Sequence, residues 1–152
     1  MDNEAPRTVM VENKDWFLQL LVGLCNESTV LLPITLVVHG AYIAGYVVPP
    51  KYYMEGVKSE LAQGSFNPPQ IRDLLGEVFD DARKAVTLPP LSDVDEEKQS
   101  LRYQPTYIHL KAARFFAPNE LNRPFPTPPK GAWWRGKINS VDGFFIGMPF
   151  PE

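Results

Sequence analysis

The sequence predicts a mainly β fold of α+β class. Five short, bent antiparallel strands should curl into a small closed barrel, with a helix before the first strand and a helical insertion between strands two and three. Three observations predict it. In Gly131 to Gly147, GAWWRGKINSVDGFFIG, Arg135 and Lys137 alternate with Trp134, Gly136 and Ile138, the period of a half-buried strand. Asp142-Gly143 then reads as a hairpin turn into a second apolar run, because Gly tolerates positive φ. Finally, 16 of the 152 residues are proline, with doublets at Pro49-Pro50, Pro68-Pro69, Pro89-Pro90 and Pro128-Pro129. Proline lacks an amide donor, so these doublets cut the chain into short elements. Closure is expected because it removes exposed strand edges.

In chain order, residues 1–12 read as a flexible polar lead-in, and residues 13–152 as one domain. Asn13-Lys14-Asp15 opens a helix on which Trp16, Leu20 and Leu24 recur at i, i+4 and i+8 beside Phe17 and Leu21. Leu31 to His39 is the first strand. Gly40-Ala41 turns it, and Tyr42 to Val48 is the second. Gly45 inside that strand predicts a bend or a close backbone approach. The insertion covers about 51–104. Lys51 to Gln63 forms a helix with Tyr53, Val57 and Leu61 on one face and Gly64 at its end. Asn67-Pro68 starts another, with Ile71, Leu74, Leu75, Val78, Phe79 and Ala82 at helical spacing. Leu88 to Gln104 has no period and reads as an acidic loop. Thr106 to Phe116 is the third strand, with Ile108 and Leu110 on one face and Tyr107, His109 and Lys111 on the other. Residues 117–130 hold five prolines and form a loop. Trp133 to Ile138 and Gly143 to Met148 complete the set.

Composition bounds the function. The chain is 44% hydrophobic and 22% charged with a net charge of −3, so it lacks the basic surplus of a dedicated nucleic-acid binder. Its one cysteine, Cys25, has no partner for an internal disulfide and reads as a small buried hydrophobe. No run is long and apolar enough to span a bilayer. Glu12 and Asp15 stand where a secretory signal would carry basic residues, so the expected location is cytoplasmic.

No constellation for catalysis stands out. The only histidines, His39 and His109, lie on strands, and no cysteine or carboxylate is spaced to complete a metal site with them. There is no strained serine elbow, no positioned Cys-His pair and no glycine-rich phosphate loop. The expectation is a protein without enzymatic activity or cofactor. Trp133, Trp134 and Arg135 are the sharper feature. On a strand one ring of an adjacent pair must point away from the core. It then anchors a protein interface, stacks on a base, or is covered by the N-terminal helix or the proline loop. Tyr107, His109, Lys111 and Lys137 are expected beside it.

Two blocks carry a family resemblance. One is Val37-Val38-His39-Gly40-Ala41-Tyr42-Ile43-Ala44-Gly45. The other is Tyr107-Ile108-His109-Leu110-Lys111, followed by Trp134-Arg135-Gly136-Lys137-Ile138 and Val141-Asp142-Gly143-Phe144-Phe145-Ile146-Gly147. From about Ile34 to Gly147 the chain resembles the GvpU accessory proteins of gas vesicle gene clusters. The resemblance implies a bacterial cytoplasmic protein that associates with itself and with vesicle shell proteins during assembly or clustering. It marks Gly40, Gly45, Gly136, Asp142, Gly143 and Gly147 as fold-defining. A looser similarity is to the Sm-like barrel, with Gly40 and Gly45 in its first motif and Arg135-Gly136 in its second. That similarity implies an alternative, an oligomeric RNA binder with Lys111, Arg135 and Lys137 on a basic rim. The acidic and amide residues of the RNA-binding Sm proteins have no counterpart, because Pro49-Pro50-Lys51-Tyr52 occupies their place.

Overall fold

The structure is a computed structural model that describes residues 14–89, 93, 95–101, 104–126 and 130–148. Its order is α1 (Trp16–Asn26), β1 (Leu32–Val38), β2 (Ala41–Val47), α2 (Pro50–Ala62), α3 (Gln70–Val86), α4 (Glu96–Leu101), β3 (Tyr107–Phe116), β4 (Ala132–Lys137) and β5 (Gly143–Ile146), with a 3₁₀ turn at Ile138–Ser140. The class is α+β. All five strands form one antiparallel sheet in the order β4-β3-β2-β1-β5.

That order corrects two expectations. The sheet is not closed: β4 and β5 are its two edges. They are also not a hairpin, although they follow one another in sequence. The chain leaves β4 at Lys137, passes through the 3₁₀ turn and crosses the sheet to pair β5 with β1. Asp142-Gly143 is therefore not a strand-joining turn. Instead Asp142 clamps the β1–β2 hairpin. Its amide donates to the Val37 carbonyl at 2.8 Å, and its Oδ2 accepts from the His39 amide at 2.8 Å. The true two-residue turn is His39-Gly40, both at positive φ (50° and 80°), the geometry that matches strand twist in a tight hairpin. Replacing Asp142 by Ala should cost about 1 kcal/mol in urea unfolding, because the His39 amide loses its acceptor but stays near water.

α1 is capped as expected, with Asp15 Oδ1 accepting from the amides of Phe17 and Leu18, each at 3.0 Å. Its inner face is not the one the spacing singled out. Leu18, Val22 and Cys25 are buried, whereas Trp16, Phe17, Leu20 and Leu24 are exposed. The reason is that α1 is apolar over most of its circumference, with only Gln19 and Asn26 polar, so periodicity alone cannot choose the inner face. Its buried side chains pack on Ile34, Leu36, Ile43, Val47, Ile108, Leu110, Ala113 and Ile138 in one core over one face of the sheet. Burial raises the Cys25 thiol pKa, which leaves the group inert rather than nucleophilic.

Within β3 a bulge at Ala112, itself at positive φ (55°), shifts the register against both neighbours. Gly45 sits against it: a Cβ there would lie 3.0 Å from the Lys111 carbonyl oxygen, so the expected close approach is present. Gly147, at φ 105°, ends β5 with its amide on the Pro33 carbonyl at 2.8 Å, and its own carbonyl accepts from the Thr35 hydroxyl at 2.7 Å.

Among the described residues the insertion holds three helices. α2 lies over β3 and β4 on the face opposite the core, and α3 packs along α2. Lys58 of α2 reaches Asp80 of α3 at 3.4 Å, beside Arg83 at 3.5 Å and Lys84 at 3.9 Å. The hydrogen bond and charge of Lys58, then the other two cations, hold the Asp80 carboxyl below its usual range. α3 begins at Gln70, so Asn67 is not its N-cap; that place falls to Pro69, which has no side chain to cap with. α4 interrupts the expected acidic loop, because Asp95 Oδ1 accepts from the Lys98 amide at 2.9 Å and caps one short turn of helix. The rest of that loop is only partly among the described residues, and the lead-in 1–12 and Pro128-Pro129 lie outside them. The described part of the proline loop is tied back to β3 by the Phe115–Phe125 bridge.

Candidate functional site

The aromatic and basic side chains expected to act together split between the two faces of the sheet. Register places His109 opposite Arg135 and Leu110 opposite Trp134. Trp134 therefore points with Leu110 into the core, where its ring fills the space above Gly136. Trp133, Arg135 and Lys137 share the other face with Tyr107, His109 and Lys111.

On that face Trp133 is not free. Its indole lies against Gly56 of α2, so close that a Cβ there would overlap the ring, and it meets Tyr53 edge-on at 6.4 Å. Among the described residues the cover comes from the helical insertion, through Gly56 and Tyr53, where the N-terminal helix or the proline loop was expected. The sequence signal was Gly56 itself, a glycine inside an amphipathic helix between Tyr53 and Val57, which marks close approach of another element. Tyr53 also covers His109 at 5.0 Å, leaving that histidine 4% exposed.

His109 is held as a neutral acceptor. Arg135 Nε donates to its Nε2 at 3.1 Å, which puts the imidazole proton on Nδ1. The Arg135 guanidinium carbon lies 3.8 Å from the Tyr107 ring centroid, a cation–π contact. Desolvation, and then the Arg135 charge, lower the His109 pKa to about 4. The arrangement is a positioned stack, Tyr53 over His109 and Arg135 over Tyr107, with no nucleophile within it. His39 stands at the β1–β2 turn, and His109 at the far end of β2, where its carbonyl accepts from the Val48 amide at 3.0 Å. The length of β2 separates them, so they do not share a site. Among the described residues no three His, Cys, Asp or Glu side chains group as metal ligands.

On β3 and β4 the exposed side chains of this face are basic: Lys111, Arg135 and Lys137. Beside them a shallow cleft of about 330 Å³ opens between α2 and the sheet, with Trp133, Tyr52, Lys111 and Glu55 on its walls. A second surface, which the sequence pattern marked as an inner face, is the exposed outer stripe of α1. No helix among the described residues is long and apolar enough to cross a membrane.

Trp133→Ala should cost about 2–3 kcal/mol, less than for a fully buried aromatic because the ring is only half-buried. The loss should appear in urea unfolding, with α2 amides exchanging faster than those of β1 and β2.

No curated protein and no solved structure matches this chain. Residues 15–149 match the family described as gas vesicle protein GvpU-like, which takes in the whole sheet and the insertion, and the chain belongs to that family.

Proposed function

We propose that the protein is a non-enzymatic, self-associating cytoplasmic accessory factor that binds gas vesicle shell proteins and acts in vesicle assembly or clustering. Family membership supports the link to gas vesicles. The observation that carries self-association is the open sheet, which among the described residues ends in two edge strands, β4 and β5. An open edge presents unmet amides and carbonyls and is a template for another strand. Joining β4 of one copy to β5 of the next is a head-to-tail contact, which gives a ring if the rotation closes. The basic face of Lys111, Arg135 and Lys137 borders the β4 edge and supplies charge for an acidic shell surface.

Gas vesicles float, so the test is co-flotation. The full chain mixed with purified vesicles should rise with them and draw them into clusters. Protein left wholly in the liquid beneath would count against the reading.

A second reading, RNA binding in the manner of Sm-like proteins, is favoured by one observation, the exposed Lys111, Arg135 and Lys137 beside Tyr107 on a single face. It requires a shift of mixed single-stranded RNA at low salt that weakens steeply as salt rises. Triple substitution of the three cations by Gln should abolish that shift, and no shift at low salt eliminates the reading.

A further inference from the structure

We propose that the outer stripe of α1, together with Ile146 of β5, is a contact through which two copies of this chain pair face to face about a two-fold axis. The proposal rests on the reading of the protein as self-associating and names a second surface for it.

α1 carries no charged residue from Trp16 to Asn26. A helix lying on a protein surface normally turns a polar face to water. This one turns out Trp16 (72% exposed), Phe17 (47%), Leu20 (36%) and Leu24 (49%). The stripe continues onto the sheet. Trp16 meets Phe17 edge-on at 5.7 Å, and Phe17 meets Phe144 of β5 at 6.2 Å. Ile146, opposite Ile34 and so on the same side as α1, remains 53% exposed because β5 is the edge strand.

Area and charge choose the occupant. Taking about 150–250 Å² for a whole aromatic side chain, the exposed parts of these five residues sum to roughly 500–600 Å². Two copies meeting there would bury on the order of 1,000–1,200 Å², which clears the ~1,000 Å² that a specific interface needs. With a net charge of −3, two copies of the chain gain no overall electrostatic attraction from one another. An uncharged stripe has no sign to match, so it is complementary to itself, as a two-fold contact requires. A charged partner would find nothing on it to pair with.

Sedimentation of the full chain between about 1 and 100 µM should show association. In the double variant Leu20→Glu, Leu24→Glu the association constant for this step should fall at least about 100-fold, since each new carboxylate would be buried against its own copy. Both positions face water in the single chain, so the circular dichroism spectrum should not change, and Leu20→Met should associate like the parent. If the parent associates and the double variant associates equally well, the α1 contact is refuted while association through the sheet edges stands. If the parent stays monomeric throughout, both fall. A monomeric parent whose co-flotation is lost in the double variant would assign the stripe to the vesicle shell and overturn the two-fold pairing.

Discussion

Lowering the pH from 6.5 to 4 should remove about 3 kcal/mol of folding stability through His109 alone, at ~1.4 kcal/mol per tenfold change in proton affinity. The folded chain holds this imidazole neutral, with a pKa of about 4 against an ordinary 6.5. Between those values the unfolded chain takes up a proton that the folded chain refuses. The stabilisation is therefore complete above pH 6.5, declines as pH falls toward 4, and changes no further once the folded form also protonates. The cause is structural. Tyr53 and α2 keep water off the ring, and a proton on Nε2 would both displace the bond from Arg135 and place two cations side by side. Urea unfolding at pH 7, 6, 5 and 4 measures it, with His109→Gln as the reference. The parent should lose stability across this window and the variant should lose much less. Equal slopes in the two proteins would refute the assignment. Asp80 belongs to a different window: its carboxyl is held low, so its contribution is present above the ordinary carboxylate range and fades only as pH drops below it.

Gly56→Ala should destabilise the fold by about 1–3 kcal/mol, the usual range for overpacking. Helix propensity alone argues the opposite sign, since Ala replaces Gly inside α2 with a gain of about 1 kcal/mol. The two expectations separate cleanly, and packing decides between them. The new methyl meets the rigid six-membered ring of Trp133, not the end of a flexible side chain. Trp133 can yield only by leaving Tyr53, which also covers His109. Gly56→Ala should therefore raise the His109 pKa toward its ordinary value as well, which a titration of the imidazole by NMR would show. A thermal midpoint above that of the parent would mean that α2 does not rest on Trp133.

The strands were legible because period two survives any tertiary arrangement: Ile108 and Leu110 against Tyr107 and His109 could be read in advance. Their order was not. Asp142-Gly143 has the composition of a local hairpin, but its acceptor serves the amide of His39, more than a hundred residues earlier in sequence, and no local rule anticipates a crossing from one edge to the other. α1 shows the same limit differently. Where apolar residues surround the helix axis, the pattern predicts burial without saying which side, and only the sheet chose Leu18, Val22 and Cys25. The paired tryptophans were read correctly as divided between faces. What covered Trp133 depended on α2, far earlier in the sequence, although Gly56 carried the trace.

The junction of the insertion with the sheet has a practical consequence. The Val48 amide bonds the His109 carbonyl at 3.0 Å, so the chain departs from β2 and re-enters at β3 through a single doorway. Whatever length is spliced between those points need not unzip neighbouring strands, and lengthening a closed excursion carries only a slow, logarithmic entropic penalty. A fluorescent reporter grafted at Gly64-Ser65, in the bend between α2 and α3, would hang outside the ladder and leave both its rims accessible for imaging assembly in living cells.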